Sequence, residues 1–532
     1  MAAGILISRI AGLIRESALS HYFGTSLFAS AFRSGLRLPN ILQNMLGEGT
    51  LSAAFIPVYS SLLARGERDS AGRLAGAVFA LLVALAGALA LTGIVLAPAL
   101  VRAFFPGYTG ELREVTIAVV RVVFPMTGIL VLSAWALGVL NSHRRFLIPY
   151  TAPVLWNVAI IAALVLAGGR TGQRGIVMAA AWGALAGGLL QFLVQLPWLL
   201  RLERSLVVRW DVRGAHVQQV LRNAGPAILG RSAVQLGSWI DLALASFLPF
   251  VGAVAAMGFA QTLYVLPFSL FGMAVAAAEL PELSRHGPAG TDALRQRAGA
   301  GLAHMALLVV PATIAYLALG DVVVAAIYER GAFTSGDTAL VTLALAAYAL
   351  GLYPSTASRL YASAFYALND TRTPARIAFA RVLTAGALGL ILMLFFEQYS
   401  VQADPFRVSH AALAGAAGRP LGVAGLALGS GIAAWLEWAL LRRSARRTLA
   451  GPVSGTRAWR LLAAALIAAL PARAIASAVD GLGALPAALI VLPLFGLVYV
   501  AAARLLGVRE ALDLLRLPSR RRSADDESSD TG

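Results

Sequence analysis

The sequence predicts an all-α membrane protein, a polytopic chain of about fourteen transmembrane helices, and three observations predict it. Of its 532 residues 59% are hydrophobic and 13% charged, with a mean hydropathy of +0.76. A soluble globular chain is about half apolar and about a quarter charged, so lipid must serve as the solvent for much of this surface. Apolar runs long enough to cross a bilayer recur along the whole chain. Arginine gathers in alternate connections between those runs, as it does when one side faces the cytoplasm.

A span needs roughly twenty predominantly apolar residues. Candidates are 4–23, 27–46, 73–104, 114–140, 147–168, 175–200, 217–248 and 252–283, then 299–327, 337–366, 374–396, 420–441, 458–478 and 483–505. Several exceed the minimum, which implies tilt, kinks or extension past the lipid. The stretch 47–64 reads as a continuation of the second helix beyond a kink.

Arg65, Arg68 and Arg73 follow the second span, Arg144 and Arg145 the fourth, and Arg201, Arg204, Arg209 and Arg213 the sixth. Arg285, Arg295 and Arg297 follow the eighth, Arg372 and Arg376 the tenth, and Arg442, Arg443, Arg446 and Arg447 the twelfth. The intervening connections are sparse in arginine, so the even-numbered ones are cytoplasmic and both termini lie inside. No small-residue cleavage site follows the first apolar stretch. The longest external connection, 397–419, sets off the last three spans. From about 506 the chain turns amphipathic and ends in an RRR run followed by DDESSD, the composition of a solvated, disordered tail.

Composition excludes several chemistries. With no cysteine there is no disulfide, thiolate metal site or cysteine nucleophile, and the 6 His show no metal-ligand spacing. Neither GxxxxGK[ST] nor GxSxG is present, so the chain is expected to be no enzyme, to hydrolyse no ATP and to need no cofactor. The net charge of +17 lies in short loops between spans, which argues for no nucleic-acid partner. All 43 basic residues are arginine, the side chain suited to bidentate contact with phosphate.

Ionisable groups inside spans are costly and normally face a cavity or a partner. In the first span Ser8, Arg9, Gly12, Arg15 and Glu16 recur at three- and four-residue intervals and share one helix face. Arg33 and Arg37 stand one turn apart in the second span, and Arg121, Arg222, Arg231, Arg359 and Arg381 extend the set. The acids set against them are Glu48, Asp241, Glu279 and Glu437. An excess of intramembrane arginine makes a cavity of positive sign, which favours phosphate or pyrophosphate. Pro39, Pro125, Pro226, Pro267 and Pro354 lie within spans as candidate bends.

These residues fall into a recognisable order. Ser8, Arg9, Gly12, Arg15 and Glu16 resemble the SRxxGxxRD opening of the MurJ/MviN family of the MOP exporter superfamily. Phe23-Gly24, Leu38-Pro39-Asn40, Gly47-Glu48-Gly49 and Ala54-Phe55-Ile56-Pro57 continue it. A second block, Glu329-Arg330-Gly331-Ala332-Phe333-Thr334 with Asp337, resembles ERGxFTxxD. Tyr348, Gly351 and Arg359 follow, and Phe365 to Pro374 is similar to FYAxxDTRTP.

The resemblance implies two six-helix lobes around a central cavity, 1–200 and 201–449, two extra transmembrane helices at 450–505, and a cytoplasmic tail at 506–532. It also moves the boundary suggested by the 397–419 loop to the end of the twelfth span. The implied activity is that of a lipid II flippase of the cytoplasmic (inner) membrane. It would move the undecaprenyl-pyrophosphate-linked peptidoglycan precursor from the inner to the outer leaflet by alternating access. The implied partners are lipid II, an anionic polyprenyl pyrophosphate lipid, together with membrane lipids and proteins of cell-wall synthesis.

By motif position, Ser8, Arg9, Arg15 and Glu48 correspond to cavity or gate residues of the family. Where the family often has Asp in the second span this chain has Ser30, and where it has Arg after the LPN motif this chain has Gln43. An eighth-span Arg is replaced within Gln261-Thr262-Leu263. Arg33, Arg37 and Arg231 are the candidates to supply the missing charge. Asp241 resembles in place an acid implicated in cation coupling, without a matching Asn or Asp in the eleventh span. Two alternatives are a flippase for another polyprenyl-linked glycan and a non-transport scaffold of cell-wall synthesis.

Overall fold

The computed structural model describes residues 2–267, 291–368, 370–415, 418–448, 451 and 458–508. Helix dominates. The chain begins with α1 (Ala2–Phe23) and α2 (Leu27–Leu46), the short α3 (Glu48–Ala54) and α4 (Ile56–Ala64), then α5 (Arg68–Phe104) and α6 (Gly110–Ser142). Next come α7 (Leu147–Thr151), α8 (Pro153–Ala167), α9 (Gln173–Leu193), α10 (Leu196–Leu202), α11 (Ala215–Ser246) and α12 (Ala253–Pro267). After these follow α13 (Thr291–Tyr328), α14 (Ser335–Ala349), α15 (Leu352–Ala367) and α16 (Arg372–Phe396).

Among the described residues, ten helical stretches are long and apolar enough to cross a membrane. The helices α1, α2 and α11 match a span in length, at 22, 20 and 32 residues, but each carries two of the intramembrane arginines. The eighth predicted span is described only as far as Pro267, so Glu279 lies outside the described residues.

Prolines and glycines shape the breaks. The segment 47–64, expected as a continuation of the second helix beyond a kink, follows a break at Gly47 as helix, and a second break at Phe55 divides it into α3 and α4. Pro39, Pro125 and Pro226 lie inside α2, α6 and α11, as anticipated for bends. Pro354 also lies within its span, but in the first turn of α15 after a break near Gly351, where its missing N–H costs no helical bond. Asp370 caps α16, its Oδ1 accepting the backbone N–H groups of Arg372 and Thr373 at 3.0 Å each. Those bonds and the Thr373 hydroxyl hold its carboxyl below the usual carboxylate range.

The connection after α16 is not a plain loop. It folds as β1 (Tyr399–Val401), β2 (Val408–His410), α17 (Ala411–Ala414) and β3 (Arg419–Pro420). The sheet order is β2-β1-β3, antiparallel, with Ser400 opposite Ser409 on one side and Pro420 on the other. The chain then forms α18 (Gly422–Thr448), α19 (Ala458–Ala478) and α20 (Ala484–Leu505).

By packing, the chain divides into two compact units. The first comprises Met1–Leu263, Ile327–Tyr348 and Val382–Ala433. One of its cores gathers Phe55, Tyr59, Leu62, Leu74, Trp135 and Leu199. At the arginine-rich ends of these helices, the Tyr59 hydroxyl donates to buried Glu203 at 2.5 Å and lies 3.0 Å from His143 Nε2. Beside it, Gly72 and Gly76 of α5 leave no room for a Cβ against the main chain of Ser205 and Val207.

The second unit comprises Tyr264–Ala326, Ala349–Arg381 and Ala434–Gly532. Here α19 presents Ala464, Ala465, Ala468 and Ala472 to Val491, Phe495 and Ala503 of α20, and Leu307 and Leu319 of α13 join the cluster. Small residues permit the close approach that membrane helices need, because lipid offers no hydrophobic drive for their association. An ion pair joins the same helices, Arg473 Nη1 to Asp321 Oδ2 at 2.6 Å. Neither residue stood out in the sequence.

Candidate functional site

The site grows from the polar face of α1. Leu6, Ile7, Ile10 and Ile14 are exposed, as lipid-facing side chains would be. The other face carries Ser8, Arg9, Gly12, Arg15 and Glu16. Gly12 stands at its centre, three or four residues from each of the others, and a Cβ there would meet nothing within 4 Å. The face therefore opens onto free space. Ser8 and Arg9 are half-buried on it.

Glu16 is the anchor. Its Oε1 accepts from Arg15 Nη2 at 2.6 Å, and its Oε2 accepts from Arg33 Nη2. The carboxylate is 6% exposed, and the arginines are 16% and 15% exposed. Burial of a lone carboxylate would cost several kcal/mol, so the two guanidiniums are what make its position tenable.

Each arginine is further fixed by a ring. Arg15 lies over Trp156 at 4.7 Å and donates Nη1 to Asn157 Oδ1 at 3.0 Å. Asn157 Nδ2 is in turn held by the carbonyl of Pro153 at 3.1 Å, which leaves its oxygen free for Arg15. Trp156 is held by the Ala184 carbonyl at 3.0 Å. Arg33 lies over Phe259 at 4.1 Å, and its guanidinium occupies the space that a side chain on Gly258 would take. Cation–π contacts of this kind contribute about 0.5–2 kcal/mol each and fix the guanidinium plane.

Two cations share one anion, so the cluster carries an excess of one positive charge. Arg15 Nε is buried with no hydrogen-bond partner. A group with several acceptor oxygens would satisfy both deficits, and phosphate has them.

Of the other sequence-predicted residues, Arg381 of α16 pairs with Glu437 of α18 at 2.7 Å. Arg37, one turn beyond Arg33, interacts electrostatically with Asp241 and Tyr348, while its Nε is buried without a hydrogen-bond partner. Asp241 accepts from Ser430 Oγ at 3.3 Å, so the cation-coupling candidate faces a hydroxyl and an arginine. No group of three or more His, Asp or Glu side chains that could hold a metal occurs among the described residues. The side chains of Glu48 and Arg231 lie outside the described residues.

Of the family positions that differ here, Ser30 is buried and its Oγ accepts the backbone N–H of Ala255 at 3.2 Å. Thr262 donates to the carbonyl one turn back, Gly258, at 2.9 Å, and Gln261 Nε2 donates to the Tyr348 hydroxyl at 3.0 Å. The structure thus brings together Arg15, Glu16 and Arg33, and puts Arg33 against α12, the helix that lacks the expected arginine. Sequence reasoning missed Asn157, Trp156 and Phe259. The legible signal was the Trp-Asn pair, a polar doublet in an apolar run.

The model of a family described as "Lipid II flippase MurJ" matches residues 19–403. The lipid II flippase MurJ of Burkholderia cenocepacia is 33% identical over 380 residues, covering 70% of this chain and 73% of that protein. A probable lipid II flippase MurJ of Rhizobium tropici is 29% identical over 473 residues, covering 84% and 83%. Among solved structures, a lipid II flippase MurJ in an inward closed conformation superposes with a TM-score of 0.74 at 22% identity, covering 97% of this chain and 99% of that one. An inward-facing multidrug resistance MATE transporter of the MOP superfamily superposes at 0.66 and 17% identity, covering 83% and 94%.

Proposed function

Because this chain belongs to the MurJ family of lipid II flippases, we propose that it moves lipid II across the cytoplasmic membrane through the arginine cluster of α1 and α2. One observation carries the assignment of the site: Arg15 and Arg33 share a single counter-ion, Glu16, beside the open space at Gly12. A pyrophosphate placed there would accept from both guanidiniums and complete the charge balance that the protein leaves unfinished. Ser8 and Arg9 extend the face along the helix, and Arg37, Glu48 and Arg231 complete the substrate-contact set carried from the sequence.

In this reading the lobes 1–200 and 201–449 alternate between inward- and outward-open states. The helices of 450–505 stand beside them, and the tail 506–532 and the N terminus are cytoplasmic. Cargo travels from the inner to the outer leaflet. Membrane lipids surround the chain, and proteins of cell-wall synthesis supply and take up the cargo. Asp241 is retained as the coupling-ion candidate.

The test is complementation of a flippase-depleted strain by the full chain and by its Arg15→Ala/Arg33→Ala variant, with membrane levels measured. Rescue by the wild type and none by a well-inserted variant supports the reading. Failure of the well-inserted wild type to rescue removes lipid II as the cargo and favours another polyprenyl-linked glycan. Rescue by both favours the scaffold role.

A further inference from the structure

The second motif block, Glu329 to Asp337, takes no part in the arginine site. It lies instead at the C-terminal end of α1, where loops predicted to share the low-arginine side meet. Two left-handed glycines make the contact: Gly24 at φ +53° and Gly331 at φ +60°. A Cβ on Gly24 would strike the Ala332 carbonyl, and one on Gly331 would strike His21. The loops thus touch main chain to main chain, and Ala332 N–H donates to the His21 carbonyl at 2.8 Å. Nearby, Gly252 leaves no room for a Cβ against the Thr25 carbonyl. Phe333 of the same block packs edge-on against Phe259 of α12 at 5.4 Å, so the seal combines main-chain contact with buried rings.

The charged lock on this seal is Asp337, 2% exposed. Its Oδ2 accepts the Thr334 N–H at 3.0 Å, and its own N–H reaches Thr334 Oγ1 at 3.4 Å, a capping box for α14. That local duty uses one oxygen. The other, Oδ1, accepts from Thr25 Oγ1 at 2.6 Å and from Arg419 Nε at 3.0 Å. Thr25 lies in the α1–α2 turn, and Arg419 in β3 immediately before α18. Arg419 also lies 5.3 Å from the centre of the Phe250 ring, in the turn between α11 and α12. One carboxylate oxygen therefore ties together the ends of α1, α14 and α18, three segments far apart in sequence. A capping residue alone would need none of this.

We infer that Asp337 is the latch of the gate on the low-arginine side: a positioning residue whose bonds to Thr25 and Arg419 must break for that side to open. The inference rests on the transport reading above, since a gate has meaning only in a chain that opens to both sides. Bonds to a buried carboxylate are directional and lost together once the loops separate, which makes the closed state discrete. The small sheet β2-β1-β3 carries Arg419 and so moves with the gate.

The test uses the full chain in cells, with Gly12→Cys as reporter; the protein has no other cysteine to label. A membrane-impermeant maleimide is added from outside, and its rate of reaction is measured. Asp337→Asn, Thr25→Val and Arg419→Gln should each raise that rate several-fold, because the closed state loses its lock. Glu329→Gln should leave it unchanged, since among the described residues that neighbouring carboxylate accepts from Thr338, within the same loop and helix, at 2.5 Å. Should Asp337→Asn fail to reach the membrane, Thr25→Val and Arg419→Gln decide, because they spare the capping box. Unchanged labelling in the latch variants overturns the inference. So does an equal rise in Glu329→Gln, which would mark general loosening. The readout involves no cargo, so failure of lipid II transport would overturn the functional reading and leave the labelling result standing.

Discussion

Two of the charged clusters described within the spans, one taken from each packing unit, differ in stoichiometry. In the first unit, Arg15 and Arg33 share Glu16, are stacked on Trp156 and Phe259, and retain a buried N–H without a partner. In the second unit, Arg473 pairs with Asp321 at 2.6 Å, between helices that otherwise pack through alanine. The first cluster is over-supplied with donors and opens beside Gly12. The second is built on a contact between opposite charges. Net charge left after internal pairing, more than the presence of an arginine, is what separates a site from a staple.

The largest effect should come from removing the excess. Arg15→Ala/Arg33→Ala deletes two charge-assisted contacts worth about 1.5–3 kcal/mol each. Complementation should be lost, and affinity for lipid II should fall at least about 100-fold. Retained affinity would erase the distinction between the two clusters.

Next in size is Glu16→Gln. Two guanidiniums would then face each other without an anion, and loss of one partner of a buried pair costs about 3–5 kcal/mol. The melting temperature of the purified protein should drop, and added lipid II should restore much of it by supplying the missing charge. A drop that lipid II cannot reverse would mean that the open space does not receive the pyrophosphate.

The pair of opposite charges should behave differently. Arg473→Ala alone leaves Asp321 unpaired and should cost about 1 kcal/mol at this half-exposed position. Arg473→Met with Asp321→Leu should come within about 0.5 kcal/mol of wild type, since a hydrophobic pair can replace an ion pair of similar volume. Transport should survive in the double variant. If it did not, charge balance would be a poor guide to function.

The smallest effect concerns Glu397, just beyond α16. Burial pushes its carboxyl up to about 7, against the backbone N–H of Gly422, which pulls it down. A folded-state value above the unfolded one favours the protonated form in the fold. That stability is fully present below about pH 4.5 and is lost as pH rises through about 7. After screening of a half-exposed group the effect is about 1 kcal/mol. The melting temperature should therefore be higher at pH 5 than at pH 8, and Glu397→Gln should flatten the difference.

The same contrast marks what could be read from the sequence. The α1 face was legible because 3.6-residue periodicity places Ser8, Arg9, Gly12, Arg15 and Glu16 together without any tertiary knowledge. The span pattern was legible because the bilayer imposes a length. Contacts between distant segments left weaker marks. Asn157 and Trp156 give one polar doublet, and the Arg473–Asp321 pair is separated by 152 residues. Nothing local in 397–419 distinguishes a three-stranded sheet from a loop, because its register is set across the chain by Tyr399, His410 and Arg419. The breaks at Gly47, Phe55 and Gly351 show the limit of span counting, which sees apolar length and not where a helix restarts.

On the proposed function, the arginine pair of α1 and α2 receives the pyrophosphate of lipid II. The most direct test is a binding titration of purified wild type and Arg15→Ala/Arg33→Ala with lipid II, and with the same lipid lacking its pyrophosphate. Tight binding is expected only for wild type with the intact lipid, and weak, indistinguishable binding in the other three combinations. Equal affinity of the wild type for both lipids would contradict it.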